Sequence, residues 1–237
     1  MKIALIGYGK MGHEIEKIAL SRGHSIQIKI DKNNLEALNE TNFNKSDIAI
    51  EFTQPDFAVN NYKACFKKNI PVVSGTTGWL KEFEEISQLC NDTNQSFFYA
   101  SNFSIGVNIF FELNKKLAQL MNSISGYDVE MNEIHHAEKL DEPSGTAISL
   151  AEQIIDNLDT KTNWSLNPSD NSDIKIKAER IKNVPGTHSV LYKSDVDEIT
   201  IKHEAKNRKG FALGAVLAAE FLVDKKGVYN MQDLLSL

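Results

Sequence analysis

The stretch KIALIGYGKMG, Lys2 to Gly12, decides the fold. Ile3 to Ile6 form a short apolar run of the kind carried by a strand buried on both faces. Glycines then stand at 7, 9 and 12, in G-x-G-x-x-G spacing. In the following HEIEKIALSRG (13–23), Ile15, Ile18 and Ala19 fall at helical spacing and Gly23 can end the helix. A second strand is expected in SIQIKI (25–30), with Asp31 directly after it. Strand, glycine turn, helix, strand and acid in that order make a dinucleotide-binding unit.

Each part of the unit has a physical task. Gly7 permits the tight turn, Gly9 lets the backbone approach a pyrophosphate, and Gly12 lets the helix pack close to the strand. The helix start offers N–H groups and the positive end of its dipole to phosphates. Tyr8, Lys10 and Met11 complete the turn, and Asp31 can accept hydrogen bonds from an adenosine ribose. An acid there repels the 2′-phosphate of NADPH and leans the reading toward NADH. Lys29 and Lys32 stand near enough to offset part of that repulsion, so both cofactors stay open. The plainer alternative is a βα turn whose glycines serve packing alone.

Outward from this unit the alternation continues. Strands are expected at 47–53, 70–75 and 96–101, with helices at 58–69 and 79–92. Such alternation predicts a doubly wound parallel sheet, whose ligands sit beyond the carboxyl ends of the strands. Three polar turns fall there: Thr53-Gln54-Pro55, Gly75-Thr76-Thr77-Gly78 and Ser101-Asn102-Phe103-Ser104. They read either as helix caps or as ligand contacts, and their shared position favours the second.

From Ile105 the pattern changes. A helix over 108–122 would place Ile109, Leu113, Leu117 and Leu120 on one face. A strand follows at 127–136, then a helix at 144–158 and a polar loop at 160–173 without a core pattern. IKIKAERI (174–181), SVLYKSD (189–195) and EITIKHEA (198–205) alternate as strands with one exposed face, and 185–188 reads as a turn. The result is a second, α+β domain on a mixed or antiparallel sheet, residues 105–207. The apolar helix at 211–227 returns to the first domain, residues 1–104 and 208–237, with the tail packed beside it.

The chemistry concentrates in EIHHAEKLDEPSGTA, Glu133 to Ala147. Ser144, Gly145 and Thr146 open a helix behind Pro143, and a helix start of that kind suits a carboxylate. His135, His136 and Lys139 just upstream add positive charge and movable protons. A single histidine on a strand is more often structural. A His-His pair and a lysine feeding an anion-binding helix start favour a site.

Composition sets the outer limits. A net charge of −6 excludes nucleic acid as an expected partner, since phosphate neutralisation needs a basic face. Cys65 and Cys90 have neither metal nor redox spacing, so reduced thiols and no metal site are expected. No apolar run reaches membrane-spanning length, and no secretory signal is evident at the start. A cytoplasmic protein is the expectation.

GYGKMG, EFTQP, SGTTGW, ASNFSIGVN, EIHHAEKLDEPSGTA, VPGTHSV and EITIKHEAKNRKGFALGA follow one another along nearly the whole chain. In that order they resemble the 4-hydroxy-tetrahydrodipicolinate (dihydrodipicolinate) reductase family of lysine and diaminopimelate synthesis. The resemblance implies NAD(P)H-dependent reduction of a cyclic unsaturated dicarboxylate to tetrahydrodipicolinate. It implies acid/base and proton-donor roles for His135 and Lys139. Carboxylate binding would fall to His136, Gly145 and Thr146, with Ser144 beside them. The matching cofactor positions are Gly7, Tyr8, Gly9, Lys10, Met11, Gly12, Asp31, Phe52, Thr53, Gly75, Thr76, Thr77, Ala100, Ser101, Asn102 and Phe103. It further implies a homotetramer assembled through the sheet of the second domain. Arg208 could join either site or form a surface ion pair. Lys32 stands where some NADPH-using members carry Arg, and the first turn is shorter than in some members. Two other classes compete: another dehydrogenase of small acids, which leaves the His-His-x-x-Lys element unexplained, and an NADH-sensing regulator, which would need a basic DNA-binding element.

Overall fold

The computed structural model describes every residue of the chain except Arg208. The chain falls into two units, Met1–Ile105 with Lys209–Leu237, and Gly106–Arg208.

The first unit begins with β1 (Lys2–Ile6), α1 (Lys10–Ser21), β2 (Ser25–Ile30), β3 (Ile48–Glu51), α2 (Pro55–Lys67), β4 (Val72–Ser74), α3 (Phe83–Asp92) and β5 (Ser96–Tyr99). The second contains α4 (Ile105–Met121), β6 (Asp128–His135), α5 (Gly145–Ile155), β7 (Asn163–Ser165), β8 (Asp173–Arg180), β9 (Thr187–Lys193) and β10 (Glu198–Glu204). The chain then returns to the first unit with α6 (Lys209–Leu222), β11 (Gly227–Tyr229) and α7 (Met231–Leu235).

Six parallel strands form the first sheet, in the order β11-β5-β4-β3-β1-β2. The strand period of two sends alternate residues to opposite layers. Ile3, Leu5, Ile48, Ile50 and Val73 face α1 and α6, whereas Ala4, Ile6, Ala49 and Val72 face α2 and α3. Burying each larger side chain stabilises the fold by roughly 1.5–3 kcal/mol. Helix α6 approaches at backbone contact: a Cβ on Gly214 would lie 1.7 Å from the Phe103 carbonyl oxygen. Both cysteines are free and buried.

One strand of this sheet departs from expectation. The returning helix ends at Leu222 rather than at 227, and residues 227–229 are neither helix nor simply packed tail. They form β11, pairing parallel to β5 and completing an edge. Three residues carry too little pattern to announce a strand, so tertiary pairing decides.

The second sheet runs β10-β9-β6-β8-β7. Its pairings are antiparallel for β10/β9 and β9/β6 and parallel for β6/β8 and β8/β7, a mixed sheet as expected. Strand β7 lies inside the stretch read as polar loop. Helix α4 also corrects the reading. Its buried face is Val107, Phe110, Asn114, Ala118 and Met121. Ile109, Leu113 and Leu120 are exposed and Leu117 only partly packed. Apolar residues lie on both sides of α4, so periodicity alone misidentified the face. The choice includes a polar residue, Asn114, whose amide nitrogen is paired inside: it donates to the Leu150 carbonyl at 3.0 Å and to Gln153 Oε1 at 3.1 Å, while its Oδ1 is buried without a partner among the described residues. Among the described residues no helix is long and apolar enough to cross a membrane.

Candidate active site

The glycine turn after β1 is built by sterics. Gly7 adopts φ +93°, and a Cβ there would lie 1.9 Å from the Phe52 carbonyl oxygen. A Cβ on Gly12 would stand 2.4 Å from the Gly7 carbonyl oxygen, so this glycine seats α1 against the turn. Gly9 differs. Its Cβ would meet nothing within 4 Å, so no neighbour in the chain requires glycine there. Gly9 is also the N-cap of α1, which has no side-chain cap and no acid in its first turn. An open glycine at an uncapped helix start fits the phosphates of a dinucleotide.

Beside it lies a cavity of about 490 Å³. Eight of its ten lining residues are cofactor positions that the resemblance implies: Gly9, Lys10, Met11, Phe52, Thr53, Gly75, Thr76 and Thr77. The other two, Gln54 and Pro55, belong to the polar turn after β3. The absence of a Cβ at Gly75 makes room for the Phe52 ring, which a Cβ would approach to 2.2 Å. The other candidates serve varied ends. Tyr8 donates to Glu16 and accepts from Lys29 Nζ at 2.9 Å, and Lys29 is 2.6 Å from Glu16. Asp31 Oδ1 accepts the Asn33 N–H at 2.7 Å. Ala100 and Phe103 are core residues, Phe103 stacking on Phe98. Ser101 is exposed, and Asn102 accepts the Ser104 N–H at 2.9 Å.

Under this cavity is Glu51, which the sequence reading passed over. Its carboxylate is fully buried at the end of β3. It accepts from the hydroxyls of Thr53, Ser74 (2.8 Å), Thr76 (2.9 and 3.0 Å) and Tyr62 (3.4 Å), and from the Asn61 amide (3.3 Å). Thr76 Oγ1 also accepts the Thr53 N–H at 2.7 Å. The hydroxyl of Thr76 is therefore held internally, joining the two loops of the cavity floor.

In the second unit, β6 buries Val129, Met131, Glu133 and His135 on one face. That face begins in the apolar core and ends in a charged cluster. Glu133 accepts the Ser144 N–H at 3.1 Å on both oxygens and the Arg180 guanidinium at 3.3 Å. His135 Nδ1 stands 3.5 Å and His188 Nε2 3.6 Å from Glu133 Oε2. The two imidazole rings are 4.9 Å apart, and His188 Nε2 is 3.1 Å from Ser144 Oγ. Arg180 also donates to the Asp141 carbonyl at 2.6 Å, behind which the Glu142–Pro143 peptide is cis. Lys139 reaches both Asp141 carboxylate oxygens at 2.8 Å, and His136 Nδ1 lies 3.1 Å from Glu138.

Electrostatics follow from this packing. Burial pushes His135 down, the charges of His188, Lys139 and Arg180 add to that, and Glu133 opposes without prevailing; the imidazole ends at about 4. Burial raises Glu133, but His188 beside it, hydrogen bonding from Ser144 and the nearby His135 outweigh it and hold the carboxyl at about 2. At neutral pH the pair is therefore a carboxylate beside a neutral imidazole.

The structure brings His135 and Ser144 into one cluster and leaves His136 and Lys139 on its exposed side. It also revises Ser144. That residue is 2% exposed, its N–H is taken by Glu133, and its hydroxyl caps α5 by accepting the Ala147 N–H at 3.2 Å. Gly145 and Thr146 keep the more open positions. Glu133, Arg180 and His188 were missed as site residues. A signal existed for the first: strand alternation puts Glu133 on the same face as Val129 and Met131, an acid at an inward position. Arg208 lies outside the described residues.

A doubly wound sheet with an open glycine helix start, in one chain with a mixed sheet ending in a histidine-carboxylate cluster, defines a two-domain NAD(P)H-dependent oxidoreductase. Comparison with known proteins narrows the class. Residues 1–103 match the family model described as dihydrodipicolinate reductase, N-terminus, and residues 106–235 its C-terminus. The chain therefore belongs to the dihydrodipicolinate reductase family. It is 51% identical to the 4-hydroxy-tetrahydrodipicolinate reductase of Christiangramia forsetii, over 100% of this chain and 98% of that one. Its identity to the enzyme of the same name from Thermosipho africanus is 34%, over 99% and 98%. The solved dipicolinate-bound dihydrodipicolinate reductase of Paenisporosarcina sp. TG-14 shares the fold, with TM-score 0.77 and 24% identity over 98% of this chain and 99% of that one.

Proposed function

We propose that this chain reduces 4-hydroxy-tetrahydrodipicolinate (dihydrodipicolinate) to tetrahydrodipicolinate with NAD(P)H, in diaminopimelate and lysine biosynthesis. The observation that carries the reading is the path from His135 and Lys139 to the α5 start, in a chain about half identical to a reductase of that name. Cofactor binding is assigned to the first unit, at the Gly7–Gly12 turn, Asp31 and the loops 52–53, 75–77 and 100–103. Substrate binding and assembly are assigned to the second.

The nicotinamide, when bound, supplies hydride. The chain's own groups have the remaining work. A dianionic substrate on a protein of net charge −6 needs a locally cationic pocket. His136 and the N–H groups at Gly145 and Thr146 hold its carboxylates, with Ser144 keeping that helix start in place. Once water has left the 4-hydroxy carbon, hydride addition to the resulting conjugated ring leaves an electron-rich carbon that takes a proton. Lys139 Nζ, an ammonium, donates it and offsets carboxylate charge. His135, neutral at working pH, takes the base role in the pair. Asp141 holds Lys139 until substrate arrives.

NADH is the preferred cofactor in this reading. Asp31 disfavours a 2′-phosphate, and Lys29 is already engaged by Glu16 and Tyr8. The working form is a cytoplasmic homotetramer assembled through the second sheet, whose outer face around Asn132, Ile134, Thr187 and Thr200 is shallowly concave.

The test is a coupled assay. The unstable substrate is generated from pyruvate and aspartate semialdehyde by the preceding synthase, and loss of reduced nicotinamide absorbance is followed with NADH and with NADPH. Substrate-dependent oxidation, faster with NADH, is expected. No oxidation with either would overturn the assignment.

A further inference from the structure

Four elements meet at one carboxylate. Glu133 of β6 takes the N–H of Ser144, the N-cap of α5, at 3.1 Å, and the guanidinium of Arg180, at the end of β8, at 3.3 Å. His188 at the start of β9 lies 3.6 Å away and His135 3.5 Å. Glu133 is fully buried, at a position whose neighbours along the face are Val129 and Met131. An apolar side chain there would avoid the desolvation of a charge. The carboxylate thus calls for a task beyond stability.

We propose that Glu133 is a positioning residue, whose carboxylate fixes the Ser144-capped start of α5 beside the His135 imidazole, 3.5 Å from it, braced by Arg180 and His188. The inference rests on the reading of His135 and the Gly145-Thr146 helix start as groups that serve the substrate. Separate parts of the opposed chemistry, a proton-active ring and a carboxylate-binding helix end, are tied to one another here. A shift of about 1 Å in such an arrangement can cost ~10²-fold in rate. One ligand atom from each of Glu133, His135 and His188 lies within 4.8 Å of the others, as in a metal site. Arg180 on the same carboxylate argues against that use, since it already supplies the positive charge.

The charged and titratable groups around His135 are Glu133 on its own strand, Arg180 on β8, His188 on β9, Lys139 in the following loop, and His203 on β10 opposite His188. Of those acting on His135 directly, Glu133 alone favours its protonated form. Removing the carboxylate and removing His188 must then displace the titration of His135 in opposite directions.

Glu133→Gln and His188→Gln are compared with the intact enzyme by kcat/KM against pH, with NADH binding measured separately. The expected result for Glu133→Gln is a fall of ~10²-fold in kcat/KM for the dicarboxylate, an acid limb moved to lower pH, and NADH binding within about twofold of the parent. His188→Gln is expected to move the limb to higher pH with a smaller loss. General structural damage would not give opposite shifts. Should Glu133→Gln not fold, the His188→Gln limb decides: an unmoved limb overturns the proposal. Unchanged kcat/KM in Glu133→Gln also overturns it, provided His135→Gln abolishes turnover. If His135→Gln is itself fully active, the functional reading fails and takes the proposal with it. Stoichiometric Zn²⁺ retained by the intact enzyme and lost in Glu133→Gln would overturn it in favour of a metal site.

Discussion

Glu51 and Glu133 are both fully buried carboxylates near the carboxyl ends of strands, yet they keep different company. Glu51, in the first unit, is surrounded by hydroxyls of threonine, serine and tyrosine and by one asparagine amide. Glu133, in the second, faces an arginine and two histidines. Hydroxyls can turn to accept or to donate, whereas a guanidinium can only donate and cannot lose its charge. The first network joins loops at the floor of a cavity that needs shape. The second sets charge and proton position where chemistry is expected.

The largest effect should come from the catalytic side of the charged cluster. Changing His135→Ala and Lys139→Ala together should lower turnover by ~10³-fold, the scale of acid–base catalysis, while NADH binding stays nearly unchanged. Titration of cofactor fluorescence beside the coupled assay checks this. Loss of cofactor binding to the same degree would make the two residues structural.

Next in size is the direct contrast of the two carboxylates. Glu133→Gln leaves Arg180 without its counter-charge and should destabilise the protein by about 3 kcal/mol. Glu51→Gln, whose hydroxyl partners can reorient, should cost only about 1 kcal/mol. Denaturant melts of the two variants measure the gap, and equal costs would break the comparison.

The pH dependence of stability is the third. His135 has a folded value near 4 against 6.5 for the free side chain, so the unfolded chain takes up a proton first as pH falls. Stability is therefore lost between about pH 6.5 and 4, on the order of 3 kcal/mol, and this group adds no further loss below that. Glu133, depressed from 4.5 to about 2, adds its own loss over that lower window. In His135→Gln the slope of unfolding free energy between pH 6.5 and 4 should flatten. An unchanged slope would remove His135 as its source.

The smallest stability effect is expected at Gly9. Its Cβ would enter open space, so Gly9→Ala should hold stability within about 0.5 kcal/mol while weakening NADH binding about tenfold by blocking phosphate approach. Gly12→Ala, driven against the Gly7 carbonyl, should lower the melting temperature instead.

Legibility followed local constraint. The glycine turn, the parallel strands and the Ser-Gly-Thr helix start were readable because each depends on residues close together in the chain. The failures have a common cause. Helix α4 is apolar on both sides, so only packing could choose Asn114 over Leu113 for the interior. Strands β7 and β11 are three residues each and exist through their partners. The partners of the Thr76, Phe103 and Ser144 side chains are equally non-local or packing-dependent: the fold directs the Thr76 hydroxyl to Glu51, the Phe103 ring into the core and the Ser144 hydroxyl to its own helix.

By itself, then, the sequence determined the alternation of the longer elements, the glycine turn and the short segment, Glu133 to Ala147, for which acid–base chemistry is proposed. Local sterics and hydrogen-bonding capacity suffice for those. Only the tertiary structure decided that Glu133, Arg180 and His188, separated by 47 and 55 positions from first to each, would share one buried point. A carboxylate's state depends on which cations and donors surround it once water is gone, and strand pairing sets that company.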